Sequence, residues 1–248
     1  MDLGLQGKVC VVTGSTGGIG LAVAQQLREE GAVVVTSGRR AEGIGDFHVA
    51  ADLSQAGEPE RLIAETVERF GGLDVLVNNV GGTPVQHLTD LTDADWYAMF
   101  ELNLMSAIRA TQAAIPVMRG RGGGAIVNVS SSSGKRPSAT LPAYSIMKAG
   151  LLSYSRLVAD VHAADGIRSN AVTPGPVATE AWLADDGLAA QQGDRESVLA
   201  KVAAGRPLGR LGEPEEIAAV VVFLCSERAS NVTGAAWSAD GGTVPIIV

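Results

Sequence analysis

Val9-Cys10-Val11-Val12-Thr13 runs directly into Gly14-Ser15-Thr16-Gly17-Gly18-Ile19-Gly20, and a helix-like stretch follows to Glu30. An unbroken apolar run, rather than an in/out alternation, is the pattern of a strand buried on both faces of a parallel sheet. Ile19, Val23 and Leu27 then recur at a spacing of four, and Gly31 suits the end of that helix. A strand, a glycine turn and a helix N-terminus together make an anion site. Backbone N–H groups point outward, the helix dipole favours phosphate, and glycines allow close approach. The spacing is Gly-x-x-x-Gly-x-Gly, not the commoner Gly-x-Gly-x-x-Gly. Its place after the first strand favours dinucleotide binding over a flexible loop. Gly14, Ser15, Thr16, Gly18, Ile19 and Gly20 are the expected cofactor contacts.

Working outward, short apolar runs alternate with longer helical patterns. Strands are expected at Lys8–Thr13, Val33–Ser37, Asp46–Ala50, Val75–Asn78, Ala125–Ser130, Arg168–Thr173 and Ala235–Ala239. Helices are expected at Ile19–Glu30, Glu60–Phe70, Asp93–Met118, Pro142–Ala164 and Pro214–Ser226. The last opens with Pro-Glu-Glu, a good helix start. Strand–helix alternation predicts an α/β fold, a doubly wound parallel sheet of about seven strands with helices on both faces. No repeat, linker or low-complexity tract divides the chain, so residues 1–248 read as a single Rossmann-like domain. Only Gly38–Gly45 separates the second and third strands. A parallel crossover usually needs a dozen residues or more, so the helix expected there is reduced to a turn or lost.

The chain has 248 residues, 46% of them hydrophobic but only 4% aromatic, so aliphatic side chains and alanine must fill the core. A formal net charge of -8 argues against nucleic acid or an anionic membrane as partner. Cys10 and Cys225 lie in apolar runs and read as buried thiols rather than a disulfide. The N-terminus carries no apolar segment of signal-peptide length, and no run approaches bilayer-spanning length. A soluble, cytoplasmic protein is expected.

The end of the second strand distinguishes the two nicotinamide cofactors. An acid there holds the ribose hydroxyls of NAD, whereas a nearby arginine accepts the 2′-phosphate of NADP. The chain reads Thr36-Ser37-Gly38-Arg39-Arg40, with no acid. Arg39 and Arg40 offer charge-assisted contacts to phosphate, so NADP(H) is expected over NAD(H).

Tyr144 and Lys148 stand four residues apart in Tyr144-Ser145-Ile146-Met147-Lys148. On a helix they share one face, one turn apart. A free phenol, with a pKa of about 10, is a poor base at neutral pH. A neighbouring ammonium is expected to lower that value and fit the tyrosine for proton transfer. Neither other tyrosine repeats the pattern: Glu101 follows Tyr97 by four residues, and Val158 follows Tyr154.

These residues carry a resemblance to the short-chain dehydrogenase/reductase family, in its single-domain branch. Thr13–Gly20 is similar to that family's Thr-Gly-x-x-x-Gly-x-Gly, and Asn78-Asn79-Val80-Gly81 to its Asn-Asn-Ala-Gly. Asn103, the Ser130–Ser133 run, Tyr144 to Lys148, and Asn170-Ala171-Val172-Thr173-Pro174-Gly175 match further segments. Pro207 to Pro214 and Asp240-Gly241-Gly242 match its C-terminal signatures, so the resemblance spans residues 8 to 243. The subgroup it most resembles is the 3-oxoacyl-[acyl-carrier-protein] reductases and related alcohol dehydrogenases. The resemblance implies a catalytic set of Asn103, Ser131, Tyr144 and Lys148. Ser131 is chosen by the family's spacing, thirteen residues before the tyrosine and three before Gly134. Asn103 would help order a water-linked proton path from Lys148, and Lys148 would bind the nicotinamide ribose. The same resemblance puts Asp52 and Leu53 at the adenine, Asn79, Val80 and Gly81 at the adenine-side ribose, and Pro174, Gly175, Val177 and Thr179 at the nicotinamide end. It implies an oxidoreductase interconverting a ketone and a secondary alcohol, which Arg39 and Arg40 make NADP(H)-preferring, with a 3-oxoacyl thioester among the candidate substrates. An NAD-dependent alcohol dehydrogenase and a non-catalytic NAD(P)-binding sensor or scaffold are the rival readings.

His48, His87 and His162 are scattered without metal-ligand spacing. Asp90, Asp93 and Asp95 precede a helix, where capping accounts for them better than a metal. Lys135 and Arg136 read as readily as a solvated loop as a greeting for an acidic substrate. Residues 180–206 are the expected substrate lid, with Trp182 in it, and Thr83, Thr140 and Leu141 are expected in the same pocket. The apolar tail Val244-Pro245-Ile246-Ile247-Val248 suggests burial between subunits, consistent with the homotetramers usual among similar proteins.

Overall fold

All seven apolar runs become strands of one parallel sheet in the computed structural model, which describes residues 2–245. They are β1 (Val9–Thr13), β2 (Val33–Gly38), β3 (Phe47–Ala50), β4 (Val75–Asn78), β5 (Gly124–Val129), β6 (Ile167–Pro174) and β7 (Ala236–Ala239). Their order is β3-β2-β1-β4-β5-β6-β7. The helices are α1 (Gly18–Glu29), α2 (Glu58–Phe70), α3 (Asp93–Phe100), α4 (Ser106–Gly120), α5 (Ser132–Lys135), α6 (Pro142–His162), α7 (Glu180–Leu183), α8 (Arg195–Ala204) and α9 (Pro214–Cys225). The four-residue α5 and α7, and α8 within the expected lid, have no counterpart in the sequence reading. No described helix is long and apolar enough to cross a membrane. The expected subunit-interface burial of the tail falls in part outside the described residues, since 246–248 are not among them.

The double burial of the strands sorts their side chains by parity. Cys10 and Val12 of β1 join Val34, Val77 and Val127 in one core, under Val23 and Leu27 of α1 and Ile217, Val221 and Leu224 of α9. Val11 joins Val35, Leu76 and Ile126 in the other, under Leu62 and Ile63 of α2, Ala110 and Ala114 of α4 and Val158 of α6. Sequence order reverses direction across the sheet between β1 and β4, the topological switch at which such sheets bind ligands.

Asp93–Met118, expected as one helix, is broken by a π-helical turn over Glu101–Met105. Asn103 sits in that turn, and its side-chain amide donates to the carbonyl of Met99 at 3.2 Å, one turn back. A side chain that takes a carbonyl of the helical ladder is a recognised cause of such bulges. Thr92 and Asp95 cap α3 reciprocally, so part of the acidic cluster is spent at a helix start.

No helix covers the crossover from β2 to β3. Its backbone is held against the sheet: the Asp46 N–H donates to the Val34 carbonyl at 2.8 Å, and the Asp46 carboxylate accepts from the Val34 N–H at 2.8 Å. Ile44 alone reaches the core beneath α1 and α9. Gly45 makes the close approach possible, since a Cβ there would stand 2.5 Å from the Val34 oxygen and 2.8 Å from that of Phe47. Gly45→Ala is therefore expected to destabilise the fold by about 1–3 kcal/mol, the usual cost of overpacking, as a drop in the urea midpoint.

Candidate active site

The glycine turn is fastened to the neighbouring strand by polar bonds that leave its outer side open. The Thr13 hydroxyl accepts from the N–H groups of Asn79 (2.9 Å) and Val80 (3.2 Å). The Asn79 side-chain amide in turn donates to the carbonyls of Thr13 and Gly14, each at 3.0 Å. Gly14 (φ 63°) and Gly18 (φ 53°) take left-handed backbone that favours glycine. Above them, at the carboxyl ends of β1, β4, β5 and β6, opens a cavity of about 1480 Å³.

Most of the expected cofactor residues border this one cavity: Gly14, Thr16, Gly18, Ile19, Arg39, Arg40, Asp52, Leu53, Asn79, Val80 and Gly81 at one end, and Pro174, Gly175, Val177 and Thr179 at the other. Two expected contacts do not. Ser15 is fully buried; its N–H donates to the Ser37 carbonyl at 2.9 Å and its hydroxyl to that of Val12 at 2.8 Å, so it ties the turn to β2. Gly20 also faces inward, where a Cβ would collide with the Asn79 amide and the Gly14 carbonyl. Its lack of a side chain lets α1 approach the turn. Asp52 lends one carboxylate oxygen to the N–H (3.1 Å) and hydroxyl (2.7 Å) of Ser54. Arg40 donates to the Thr16 carbonyl at 3.2 Å and lies 3.6 Å from the Glu180 carboxylate, whereas Arg39 is exposed and without a bond among the described residues.

At the other end, Pro142 opens α6 and sets Tyr144 in its first turn, with Lys148 one turn on. The Lys148 ammonium is buried, donates to the Val129 carbonyl at 2.9 Å and lies 5.6 Å from the centre of the Tyr144 ring. Burial brings its pKa down to about 8. Tyr144 departs from the sequence expectation. Burial pushes its phenol above the ordinary value, and hydrogen bonding to Ser131 opposes that rise. The expected depression by Lys148 is not found; that lysine is itself drawn toward its neutral form. Ser131 caps α5, accepting from the Ser133 N–H at 3.1 Å. The Ser130 hydroxyl donates to the Lys148 carbonyl at 2.8 Å and pins the end of β5 to α6.

Asn103 does not border the cavity. It is fully buried, and its side chain donates to the Gly82 and Met99 carbonyls and accepts from the Gly82 N–H at 2.9 Å. Those bonds hold the loop after β4 against the π-helical turn. Gly81 is confined between Lys148 and Asn103: a Cβ there would stand 2.8 Å from the Lys148 nitrogen and 2.9 Å from the Asn103 oxygen. Gly134 allows α5 to lie on α6, since its Cβ would meet the Lys148 carbonyl carbon at 2.9 Å.

The expected lid segment borders the cavity through Trp182, Leu188 and Gln192, and Thr83, Thr140 and Leu141 face the same space. Lys135 is turned away from it, donating to the Ala236 carbonyl at 2.8 Å and the Ser238 hydroxyl at 3.0 Å. Arg206 was not singled out from the sequence. It follows α8, borders the cavity and buries an Nε–H that has no acceptor among the described residues. Its neighbour Asp240 spends its carboxylate on the N–H groups of Gly242 and Val244. An arginine beside a proline in a polar lid carries no periodicity that would have marked it.

A family model described as enoyl-(acyl carrier protein) reductase matches residues 14–244. The chain is 37% identical to D-beta-hydroxybutyrate dehydrogenase of Cupriavidus necator, over 97% of this chain and 99% of that protein. It is 41% identical to cis-4-hydroxycyclohexanecarboxylate dehydrogenase of Sinomonas cyclohexanicum, over 95% and 96%. The structure superposes on that of L-sorbose reductase from Gluconobacter frateurii, complexed with NADPH and L-sorbose, with a TM-score of 0.93 and 35% identity over the whole of both chains.

The buried Lys148 ammonium has a consequence for stability. Between its folded pKa of about 8 and the ordinary 10.5, the unfolded chain binds more protons than the folded one. Stability contributed through this group therefore rises with pH across that window. In Lys148→Met the contribution is removed, so the difference in urea midpoint between wild type and variant should move in favour of wild type from pH 7.5 to pH 10. Parallel pH profiles for the two proteins would refute the assignment.

Proposed function

Because the chain belongs to the short-chain dehydrogenase/reductase family, we propose that its cavity is the active site of an NADP(H)-preferring enzyme that interconverts a ketone and a secondary alcohol. Membership carries the coarser part: this is an NAD(P)-dependent oxidoreductase acting on CH–OH groups. The preference for NADP(H) rests on Arg39 and Arg40 at the cavity mouth with no acid at the end of β2. The donor set suits a dinucleotide. The first turn of α1 has N–H groups without intrahelical partners, the space beside Gly17 is open, and Arg40 is already directed at Thr16 of the turn.

The single observation that carries the reaction is the convergence of Ser131, Tyr144 and Lys148 on the cavity that the glycine turn also borders. The bound nicotinamide would supply or take the hydride. In the reductive direction Tyr144 gives its proton to the substrate oxygen, and in the oxidative direction it takes the proton back. The raised phenol pKa suits the proton-donating form, and Ser131 is placed to donate a second hydrogen bond to the same oxygen. Lys148, close to its own titration point, would hold the nicotinamide ribose hydroxyls and supply the proton that Tyr144 spends. Ser130 and Asn103 act at one remove, holding α6 and the loop after β4. Exposed Leu157 and Val161 on α6 support the homotetramer reading.

For the substrate, the unmatched Nε–H of Arg206 favours a carbonyl compound that also bears an anionic group, and a keto acid over a 3-oxoacyl thioester. Two relatives named for hydroxy acids point the same way.

Two experiments test this reading. In steady-state assays across ketones, keto acids and 3-oxoacyl thioesters, turnover should be well above that with NADH when NADPH is the donor. Tyr144→Phe should then lose about 10²–10⁴-fold in kcat while still binding NADPH in a calorimeter. Tight cofactor binding without turnover on any substrate would leave the non-catalytic reading standing. With 4-oxocyclohexanecarboxylate and its methyl ester as a matched pair, Arg206→Gln should lower kcat/KM for the acid about tenfold to a hundredfold, the range for a hydrogen bond to a charged group. The ester should change little; equal losses for both would remove the anionic-substrate reading.

A further inference from the structure

The missing helix between β2 and β3 leaves the two arginines of the cavity mouth on a loop of irregular backbone, and one histidine holds that loop in place. His48 of β3 pairs in register with Thr36 of β2, so the two side chains are neighbours on one face of the sheet. The His48 Nδ1 lies 2.9 Å from the Thr36 hydroxyl, and its Nε2 lies 2.9 Å from the backbone carbonyl of Arg40. A carbonyl only accepts, so Nε2 carries the hydrogen. In the neutral ring Nδ1 then accepts from the Thr36 hydroxyl, whose other acceptor, the Phe47 carbonyl, is farther away at 3.3 Å. The loop passes directly over this pair. A Cβ on Gly43 would collide with the His48 ring and stand 2.5 Å from the Thr36 oxygen. From the backbone point that His48 grips, the Arg40 side chain reaches back 3.2 Å from the Thr16 carbonyl, in the glycine turn, and 3.6 Å from Glu180. A line of bonds thus runs from the interior of the sheet, through an imidazole, to the guanidinium at the cavity mouth. His48 itself does not border the cavity.

We infer that His48 is a positioning residue for cofactor selectivity: by bonding the Arg40 carbonyl to β2, it keeps the Arg40 guanidinium where a ribose 2′-phosphate would sit. The inference rests on the NADP(H) reading above. It follows from physical economy. A guanidinium on an untethered loop must be ordered each time phosphate binds, and that ordering costs affinity. A pre-set backbone removes part of that cost only for the ligand that carries the phosphate.

The test compares KM and kcat for NADPH and NADH in three variants. His48→Phe keeps a flat ring but removes both bonds. KM for NADPH should rise about tenfold, as for the loss of one to two hydrogen bonds, while KM for NADH and both kcat values stay within about twofold. His48→Gln, which can still offer an N–H to the Arg40 carbonyl, should restore most of the NADPH affinity. A merely structural histidine would instead weaken both cofactors together and would not be rescued selectively by Gln; that result overturns the inference. If His48→Phe does not fold, Thr36→Val removes the other end of the bridge and should shift the NADPH/NADH ratio in the same direction. Arg40→Ala separates the two levels. Should it leave the ratio unchanged, Arg40 does not meet the 2′-phosphate and this inference falls, while the NADP(H) reading stands or falls on the NADPH/NADH ratio of the wild type. Should it collapse the ratio while His48→Phe does not, the inference alone falls.

Discussion

The Thr13–Asn79 brace is the constraint on which the cavity depends. Parallel strands β1 and β4 are neighbours, but the chain leaves them for opposite faces of the sheet, and a crevice opens where they part. A crevice between diverging loops would expose backbone groups on both sides. One hydroxyl and one amide satisfy them: Thr13 takes the N–H groups of Asn79 and Val80, and Asn79 takes the carbonyls of Thr13 and Gly14. With its inner carbonyls and Ser15 N–H already bonded, the turn keeps its outward groups for a ligand. Gly20 is needed for the same reason, since α1 could not approach Asn79 with a Cβ in the way.

The far end of the cavity is organised around a different cost. A lysine ammonium buried between β5 and α6 is unfavourable, and the fall of its pKa to about 8 measures the bias toward neutrality. What retains it is the Val129 carbonyl and close glycine packing on either side. Gly81 admits the ammonium from the loop after β4, and Gly134 lets α5 lie against its backbone. Tyr144 and Lys148 are thus shifted in opposite directions by the same burial, the phenol up and the ammonium down. Both shifts favour the neutral form, and they move apart two groups whose ordinary values, 10.0 and 10.5, nearly coincide.

Features set by near neighbours in sequence were legible, and features set by distant partners were not. Strand β1, the glycine turn and α1 form a continuous segment, and Tyr144 and Lys148 share a turn of one helix, so spacing alone places them. Ser15 stands inside the glycine motif, yet it turns inward because Val12 and Ser37 take its bonds. Asn103 lies in a strong helical pattern, yet the Gly82 loop, far away in sequence, decides what its amide does. The direction of the Tyr144 shift also escaped the sequence, because spacing reports that Lys148 is near but not that burial outweighs it. The short gap after β2 did read correctly as a crossover without its helix, since chain length sets that limit. What replaced the helix, a histidine and two glycines packed on Thr36, required the register of β3 against β2 to be seen.

Residues 180–206, the expected lid, differ from the rest of the molecule in what holds them. Helix α8 buries none of its residues fully, and its ties are exposed polar ones. Asp194 caps its first turn, Arg195 bonds the Leu183 carbonyl and the Asp185 carboxylate, and Gln191 accepts from the Val85 N–H. Bonds of this kind are readily exchanged for water, so the segment belongs to the low-stability end of the fold. Both ends of the lid, by contrast, are fastened to rigid structure. The Ala178 N–H and the Gly212 carbonyl meet at 2.8 Å, and Pro207 packs where Gly242 has no side chain. At its centre Gly187, Leu188 and Ala189 are buried, so the exposed polar ties flank a small packed core. Arg206 lies at the fixed end beside Pro207, so its side chain at the cavity is referenced to the sheet rather than to α8.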